Sequence, residues 1–170
     1  DPIDKEYREG IYVGYRYFDS FDVTPQYPFG YGLSYTDFSI QVTDFELEGS
    51  ECTVALDVKN TGHHPGREVV QLYLSPPQGL LDKPFQQLCA YSKTVLLHPG
   101  EQEKKFLRFK MEEQVSFSAA QGVYLLEAGD YIVRVGNSSR NTHVCGIVRL
   151  GDDGIVRRVR SLFKRPVLFD

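Results

Sequence analysis

The chain has 170 residues, of which 41% are hydrophobic and 25% charged, a composition typical of one globular domain with an extension and not of a disordered chain. Its formal net charge of −4 gives no electrostatic footprint for nucleic acid. No apolar run approaches the roughly 20 residues of a membrane-spanning helix, and the start Asp1-Pro2-Ile3-Asp4 is not a signal peptide. A chain that starts in this way, without Met, is expected to be a piece of a longer one.

The first 36 residues form an aromatic-rich extension. They hold seven of the 11 tyrosines and three of the 11 phenylalanines, which is too much apolar surface to leave in water. Apolar side chains fall on both sides of an extended run over residues 11–18, which predicts a strand covered on both faces. We expect the extension to dock on another body, either the domain that follows it or a domain absent from this chain.

The stretch 28–36 reads PFGYGLSYT and is the expected pivot of the chain. Aromatic or aliphatic residues stand at every second position from Phe29 to Tyr35, and the two glycines allow backbone angles closed to other residues. If Phe29 or Tyr31 is buried there, its change to Ala costs about 3–5 kcal/mol. The residues assigned to domain docking are Tyr15, Arg16, Tyr17, Phe29, Tyr31 and Tyr35.

Residues 37–150 alternate polar and apolar positions between turn signals. The clearest case is the run from Cys52 to Val58, in which every second residue is apolar, as in a half-buried strand. Seven or eight such short strands, separated by Gly- and Pro-rich turns, predict an all-β fold in the form of a β-sandwich. A single helical turn is predicted between residues 111 and 120.

Residues 151–170 form a basic C-terminal tail. Five basic residues fall within nine positions: Arg157, Arg158, Arg160, Lys164 and Arg165. Ile155, Val159 and Leu162 have roughly helical spacing, although so short a stretch fits an extended tail equally well.

The three cysteines, Cys52, Cys89 and Cys145, do not form a disulfide framework. Their odd number, wide spacing and hydrophobic neighbours predict reduced, buried thiols. This favours a cytoplasmic location, with secretion left open. Asn137-Ser138-Ser139 is a formal glycosylation sequon, but single sequons are common by chance.

Several ordered motifs carry a family resemblance. The stretches 7–19, YREGIYVGYRYFD, and 27–36, YPFGYGLSYT, are followed by Asn60-Thr61-Gly62, Glu68-Val69-Val70-Gln71-Leu72-Tyr73, Pro99-Gly100-Glu101, Gly129-Asp130-Tyr131 and Val135-Gly136-Asn137-Ser138-Ser139. Together they resemble the C-terminal region of family 3 glycoside hydrolases, including its fibronectin type III-like domain. The resemblance covers nearly everything from about residue 6 to residue 150.

This resemblance implies a parent β-glucosidase, or a relative such as a β-xylosidase, that hydrolyses terminal non-reducing β-glycosyl residues without a cofactor. The nucleophilic aspartate would lie on a TIM-like barrel and the acid/base glutamate on an α/β sandwich domain, and neither is present here. The nucleophile motif includes a tryptophan, and the chain has none. The implied chain is therefore the accessory, non-catalytic end of such an enzyme.

The resemblance also implies boundaries and partners. Residues 1–36 would finish the α/β sandwich domain and form a linker, residues 37–150 would form the immunoglobulin/fibronectin type III-like β-sandwich, and 151–170 the basic tail. The partners would be the barrel and α/β sandwich domains of the parent, and its β-glycoside or oligosaccharide substrate. On length and exposure alone, the loop at residues 75–85 is the candidate for the edge of the sugar site.

Catalytic chemistry on this chain is weighed against simpler interpretations. Retaining glycosidases need two carboxyl groups about 5–5.5 Å apart, and Asp19 and Asp22 lie close together beside aromatic residues. We favour the interpretation that they are loop carboxylates next to a docking strand. For Arg16, between two tyrosines, an interdomain ion pair or stack is favoured over a place near a substrate cleft.

Metal binding is also not favoured. His63 and His64 are adjacent in an extended loop and point apart, while His143 and Cys145 supply only two ligands of one strand face. The second functional hypothesis is a stand-alone carbohydrate- or protein-binding β-sandwich module without hydrolase activity. A flat row of exposed aromatic residues on the sandwich itself would favour that hypothesis.

Overall fold

The computed structural model describes residues 8–160 of the chain. In this part the chain forms one short α-helix, ten β-strands and one 3-10 turn. In chain order the elements are α1 Tyr15–Ser20, β1 Phe38–Glu48, β2 Glu51–Asn60, β3 Val69–Ser75, β4 Gln87–Lys93, β5 Gln102–Lys110, the 3-10 turn Met111–Glu113, β6 Ser116–Ser118, β7 Val123–Leu126, β8 Gly129–Ser138, β9 Asn141–Leu150 and β10 Gly154–Arg158.

The strands form three antiparallel sheets. The first has the order β1-β2-β5, the second β4-β3-β8-β9, and a small third sheet the order β10-β7-β6. One hydrophobic core contains side chains from β2 and β5 of the first sheet together with side chains from β3 and β8 of the second. This is a two-sheet sandwich, and the predicted all-β fold class is confirmed.

The alternation of the sequence decides which side chains enter the core. In β2 the residues Cys52, Val54, Leu56 and Val58 are fully buried, as their period of two requires. Strand β5 has adjacent apolar residues that leave its inner face ambiguous in the sequence. Its partner β2 fixes the register, so that the core contains Leu107 and Phe109 and excludes the more exposed Phe106.

Two strands are not evident in the sequence. Strand β6 has only three residues, too few to show a period. Strand β10 lies in the basic tail, where Gly154–Arg158 pairs with β7. The extended alternative for the tail is therefore correct for these residues.

The helical turn predicted within 111–120 is confirmed as the 3-10 turn Met111–Glu113. The last three tail residues named above, Leu162, Lys164 and Arg165, lie outside the described residues.

The strand predicted over residues 11–18 is wrong. Gly14 has φ of +60°, which interrupts an extended run, and α1 begins directly after it. Helical spacing places Tyr15 and Asp19 on one side of α1, and Tyr17 and Phe21 together on another. The first pair contacts the sandwich, whereas the rings of the second pair contact each other at 5.0 Å.

Within residues 8–160, no helix is both long enough and apolar enough to cross a membrane.

Candidate functional site

The inner face of α1 is attached to the sandwich through Tyr15. The Leu88 amide donates to the Tyr15 hydroxyl oxygen at 2.8 Å. The Tyr15 ring stacks on Phe29 with centroids 4.7 Å apart and meets the buried Tyr73 edge-on at 6.0 Å. Burial, with Tyr15 and Asp19 nearby, raises the pKa of Tyr73. Tyr73 therefore remains neutral and acts as a packing residue.

Arg140, in the turn between β8 and β9, joins the sandwich to the extension. Its Nε lies 2.7 Å from Asp19 Oδ1, and its Nη1 donates to Asp22 Oδ1 at 3.2 Å. Its Nη2 donates to the carbonyl oxygens of Phe18 and Val23 at 2.8 and 3.0 Å. A planar guanidinium can bind this many acceptors at once because its donors form a rigid fork.

A buried glutamine completes this junction. Gln86 is 1% exposed, and its Nε2 donates to Asp19 Oδ2 at 2.9 Å and to the Ser139 carbonyl at 2.7 Å. The preceding amide, that of Phe85, donates to Ser20 Oγ at 2.8 Å. Helix α1 is thus bonded both to the β8–β9 turn and to the end of the 75–85 loop.

The stretch 28–36 follows the sandwich with its backbone. The Phe29 carbonyl accepts from the Ser139 amide at 2.8 Å. Gly30 has φ of +83°, and a Cβ there would lie 2.4 Å from the Gln71 side chain, so glycine is required for two reasons. At the far end, Thr36 Oγ1 donates to Asn60 Oδ1 at 2.7 Å.

Three side chains of this stretch, unlike those of Phe29 and Thr36, point away from the sandwich. Tyr31, Leu33 and Tyr35 are 50%, 93% and 94% exposed, and we call these three residues the outer row. The Tyr27 ring stacks on Tyr31 at 5.4 Å. The sequence predicts that Phe29 or Tyr31 is buried. This prediction is wrong, since Phe29 is 47% exposed and Tyr31 is 50% exposed. The close contact of the stretch with the sandwich is made by backbone and glycine instead.

A groove on the outer side of α1 adds to this apolar surface. It has a volume of about 500 Å³ and is lined by Arg8, Glu9, Tyr12, Tyr17 and Phe21. Tyr12 and Tyr17 each place their rings 5.0 Å from the ring of Phe21.

The six residues assigned to docking differ in whether they contact the sandwich or face solvent. Tyr15 faces the sandwich, and Phe29 is shared between the Tyr15 ring and solvent. Tyr17 lines the outer groove, and Tyr31 and Tyr35 belong to the outer row. Arg16 is half-buried, and the arginine that ties the extension to the sandwich is Arg140.

Asp19 and Asp22 both form ion pairs with Arg140. A smaller cleft of about 170 Å³ has aromatic walls, and of its lining residues only Asp19 carries a carboxyl group. Asp19 is ion-paired with Arg140, while the Asp22 side chain is 95% exposed. This arrangement does not form the two-carboxylate site of a retaining glycosidase. In residues 8–160 no three His, Cys, Asp or Glu side chains are grouped to hold a metal ion.

The 75–85 loop has a buried base and an exposed tip. At the base, Lys83 and Glu127 form an ion pair whose side chains are 2% and 8% exposed. Glu127 also accepts from the amides of Leu80 and Leu81 at 2.7 and 3.2 Å. Burial acts to raise the pKa of Glu127, but Lys83 and these amides together hold it below its usual value. The expected exposure is correct for Leu80, which is 97% exposed, and wrong for Lys83.

The cysteines are free, as predicted, but only Cys52 is buried, whereas Cys89 and Cys145 are half-buried. Burial raises the pKa of Cys52 and Cys145 to about 11, so both remain as unreactive thiols near neutral pH. In the formal sequon, the Asn137 amide donates to Glu68 and accepts from Asn141, and Ser139 is 3% exposed. These side chains serve the structure of the β8–β9 turn.

Sequence reasoning did not identify Lys83, Gln86, Glu127 and Arg140 as the residues that fix the extension and the loop. Arg140 follows the sequon in a hairpin turn, where an arginine is usually solvated, and nothing local indicates its partners. Lys83 and Glu127 are 44 residues apart, and a pairing at that distance leaves no signal in a single sequence.

The comparisons with known proteins agree with this geometry. Residues 68–139 match the model of the fibronectin type III-like domain, which defines the class of the sandwich. A curated β-glucosidase of Kluyveromyces marxianus is 39% identical over 135 residues, which is 78% of this chain and 16% of that protein.

Two solved structures are also similar. A β-glucosidase from Paenibacillus barengoltzii has a TM-score of 0.88 at 40% identity, over 91% of this chain and 18% of that one. β-Glucosidase 3B from Thermotoga neapolitana has a TM-score of 0.82 at 45% identity, over 88% of this chain and 21% of that one. The chain belongs to the family 3 β-glucosidases, as their C-terminal region with its fibronectin type III-like domain, and spans about a fifth of the length of these relatives.

Proposed function

We propose that this chain is the accessory, non-catalytic end of a β-glucosidase-like enzyme that hydrolyses terminal non-reducing β-glycosyl residues. The enzyme's two catalytic carboxyl groups would lie on its other parts, a TIM-like barrel and an α/β sandwich domain. The proposal is supported by the similarity to β-glucosidases over most of this chain. It is also supported by the engagement of Asp19 with Arg140 and Gln86, which leaves no carboxylate pair in the smaller cleft.

The role of the chain in that enzyme is domain docking. The observation that carries this role is the outer row, in which Leu33 and Tyr35 are more than 90% exposed although the backbone beside them is bonded to the sandwich. Large apolar side chains held in water by an ordered backbone are typical of a surface that another body covers. The outer row and the groove beside α1 would contact the α/β sandwich domain, and residues 1–36 would end that domain and link it to the sandwich.

The 75–85 loop would lie at the edge of the substrate site. Loops carried on a rigid scaffold are where binding residues are concentrated, and this loop is fixed by the Lys83–Glu127 pair.

The alternative, a stand-alone binding module, has less support. Sugar-binding faces present coplanar exposed aromatic residues in one row, but the exposed aromatics on the strands of the sandwich, Tyr91, Phe106 and Phe117, lie on β4, β5 and β6. Those strands belong to three different sheets.

Turnover of an aryl β-glucoside tests the proposal. The natural polypeptide that contains this chain should hydrolyse the compound, whereas residues 1–170 alone should not. Replacing Leu33 and Tyr35 together by Asp should lower the melting temperature of the natural polypeptide, while the same change at Phe106, on strand β5, should have a smaller effect. Hydrolysis by residues 1–170 alone would contradict the proposal.

A further inference from the structure

The tip of the 75–85 loop carries a highly exposed apolar side chain on a constrained loop. Leu80 is 97% exposed. Its own amide is bonded to Glu127 Oε1 at 2.7 Å, and the next amide is bonded to Oε2 of the same carboxylate. The position of Leu80 is therefore set by a buried side chain and not by the flexibility of a surface loop.

Further contacts fix both arms of the loop. Lys83 Nζ donates to the Pro77 carbonyl at 2.9 Å, and a Cβ at Gly129 would lie 2.7 Å from the Pro77 ring. Arg134 contacts both ends of the loop, since its Nε donates to Ser75 Oγ at 3.2 Å and its guanidinium lies 5.3 Å from the Phe85 ring centroid.

The 75–85 loop has more fixed contacts than a surface connection of its length needs in order to close. A buried ion pair is costly to desolvate, and a surface connection of this length can be closed without one. A side chain held in one place before its partner arrives binds with a smaller loss of conformational entropy. The loop is thus suited to recognition, with Leu80 as the contacting residue.

The surroundings of Leu80 indicate a small ligand. The outer row and the groove beside α1 each present several large apolar side chains, as a protein partner requires. At the loop tip, by contrast, the exposed neighbours of Leu80 are Gln78, Gly79 and Asp82. Leu80, with the partly exposed Leu81 beside it, is a small apolar group next to these residues, which is typical of a contact with a small molecule that has an apolar part.

Resting on the function proposed above, we propose that Leu80 is a specificity-determining residue that contacts an apolar aglycone of the β-glycoside substrate. The loop end lies on the same side of the sandwich as α1, because the Phe85 amide and the Gln86 side chain are both bonded to that helix. Helix α1, which in the proposed function would follow the α/β sandwich domain closely in the chain, therefore lies beside this loop. Leu80 would act on binding and on the choice of leaving group, and not on the bond-breaking step.

The test compares two substrates in the natural polypeptide that contains this chain. One is an aryl β-glucoside, with an apolar aglycone, and the other is cellobiose, with a polar one. Leu80→Asp should lower kcat/KM for the aryl β-glucoside about 5- to 30-fold, mainly through KM, and change kcat/KM for cellobiose less than twofold. Leu80→Met, which keeps apolar volume, should retain the wild-type preference. Leu47→Asp, on strand β1, is the matched control for a new surface charge and should change neither.

The outcomes separate the inference from the function on which it rests. No turnover of either substrate by the wild-type polypeptide overturns the proposed function itself. Wild-type turnover with an unchanged substrate preference in Leu80→Asp overturns the role of Leu80. An equal loss for both substrates, together with a lower melting temperature, shows that Leu80 docks on protein, which also overturns the proposed aglycone contact.

Discussion

The sandwich core and the N-terminal extension are built in opposite ways. In the core, β2 and β3 bury apolar side chains against each other, and Leu56 and Leu72 are fully buried. The extension attaches through polar contacts, chiefly those of Arg140 and Gln86, and leaves Leu33 and Tyr35 in solvent. The core buries its apolar side chains within the described residues, whereas the extension leaves large apolar side chains in solvent. This difference supports the proposal that the extension is one half of an interface.

The largest effect is expected at the buried ion pair of the sandwich. Lys83→Met leaves the Glu127 carboxylate buried without its cation and should lower the free energy of unfolding by about 3–5 kcal/mol, as measured by urea denaturation. The double variant Lys83→Met/Glu127→Leu removes both charges and should recover most of this loss. A single variant as stable as wild type would show that the pair does not hold the loop.

The core itself gives the next largest effect. Leu72→Ala should cost about 2–5 kcal/mol because it opens a cavity between the two sheets. Leu47→Ala is the matched control, since Leu47 is 44% exposed and should lose less than about 1 kcal/mol. Equal losses for the two variants in thermal or urea unfolding would contradict the location of the core.

The junction of the two regions should have an intermediate effect. Arg140→Ala removes the hydrogen bonds to Phe18 and Val23 and the ion pair with Asp19, which should cost about 1–3 kcal/mol. Amide hydrogen exchange should rise at the end of α1, for example at the Phe21 amide that donates to the Tyr17 carbonyl, and remain unchanged in β2. Arg140→Lys keeps the charge without the planar fork and should restore the protection only in part. Faster exchange throughout the sandwich would show that the two regions are not separable.

The pH dependence of stability provides a smaller effect with a defined sign. Because the pKa of Glu127 is lowered in the folded chain, its contribution is fully present above its unfolded value of about 4.3 and is lost as pH falls through the folded value. The free energy of unfolding should therefore fall less steeply between about pH 4.5 and 2 in Lys83→Met/Glu127→Leu than in wild type. Parallel curves would show that Glu127 titrates normally.

The smallest effect is expected at the outer row. Leu33→Ala should change the stability of residues 1–170 by less than about 0.5 kcal/mol, because a side chain that is 93% exposed loses few contacts. In the natural polypeptide the same change should cost more than about 1 kcal/mol if the row is covered there. Equal, negligible effects in the two polypeptides would indicate that Leu33 remains in solvent.

The sequence predicts the sandwich better than it predicts the extension, for a physical reason. Burial in β2 follows directly from a period of two, which is a local property of the residues from Cys52 to Val58. The extension has aromatic residues on every side, so it offers no period, and Gly14 directs the chain into α1 where a strand is expected. The outward direction of Tyr31 and Tyr35 depends on the backbone contact at Phe29, which is a tertiary feature.

The candidate docking surface is therefore predicted in its composition and not in its geometry. The aromatic content of residues 1–36 predicts docking, and the structure adds which residues already contact the sandwich and which remain exposed. Arg140 could not be predicted, since its acceptors at Phe18 and Val23 lie 122 and 117 positions away along the chain. The resemblance to family 3 glycoside hydrolases identifies the family but does not specify these contacts.

The most direct test of the docking role is hydroxyl-radical footprinting of Tyr31, Leu33 and Tyr35 in two polypeptides. One is residues 1–170, and the other is the natural polypeptide that contains them. The account predicts strong oxidation of all three residues in the first and protection in the second, with the exposed Tyr91 on β4 equally oxidised in both. Equal oxidation of the outer row in both polypeptides would contradict the account, because nothing would then cover the surface.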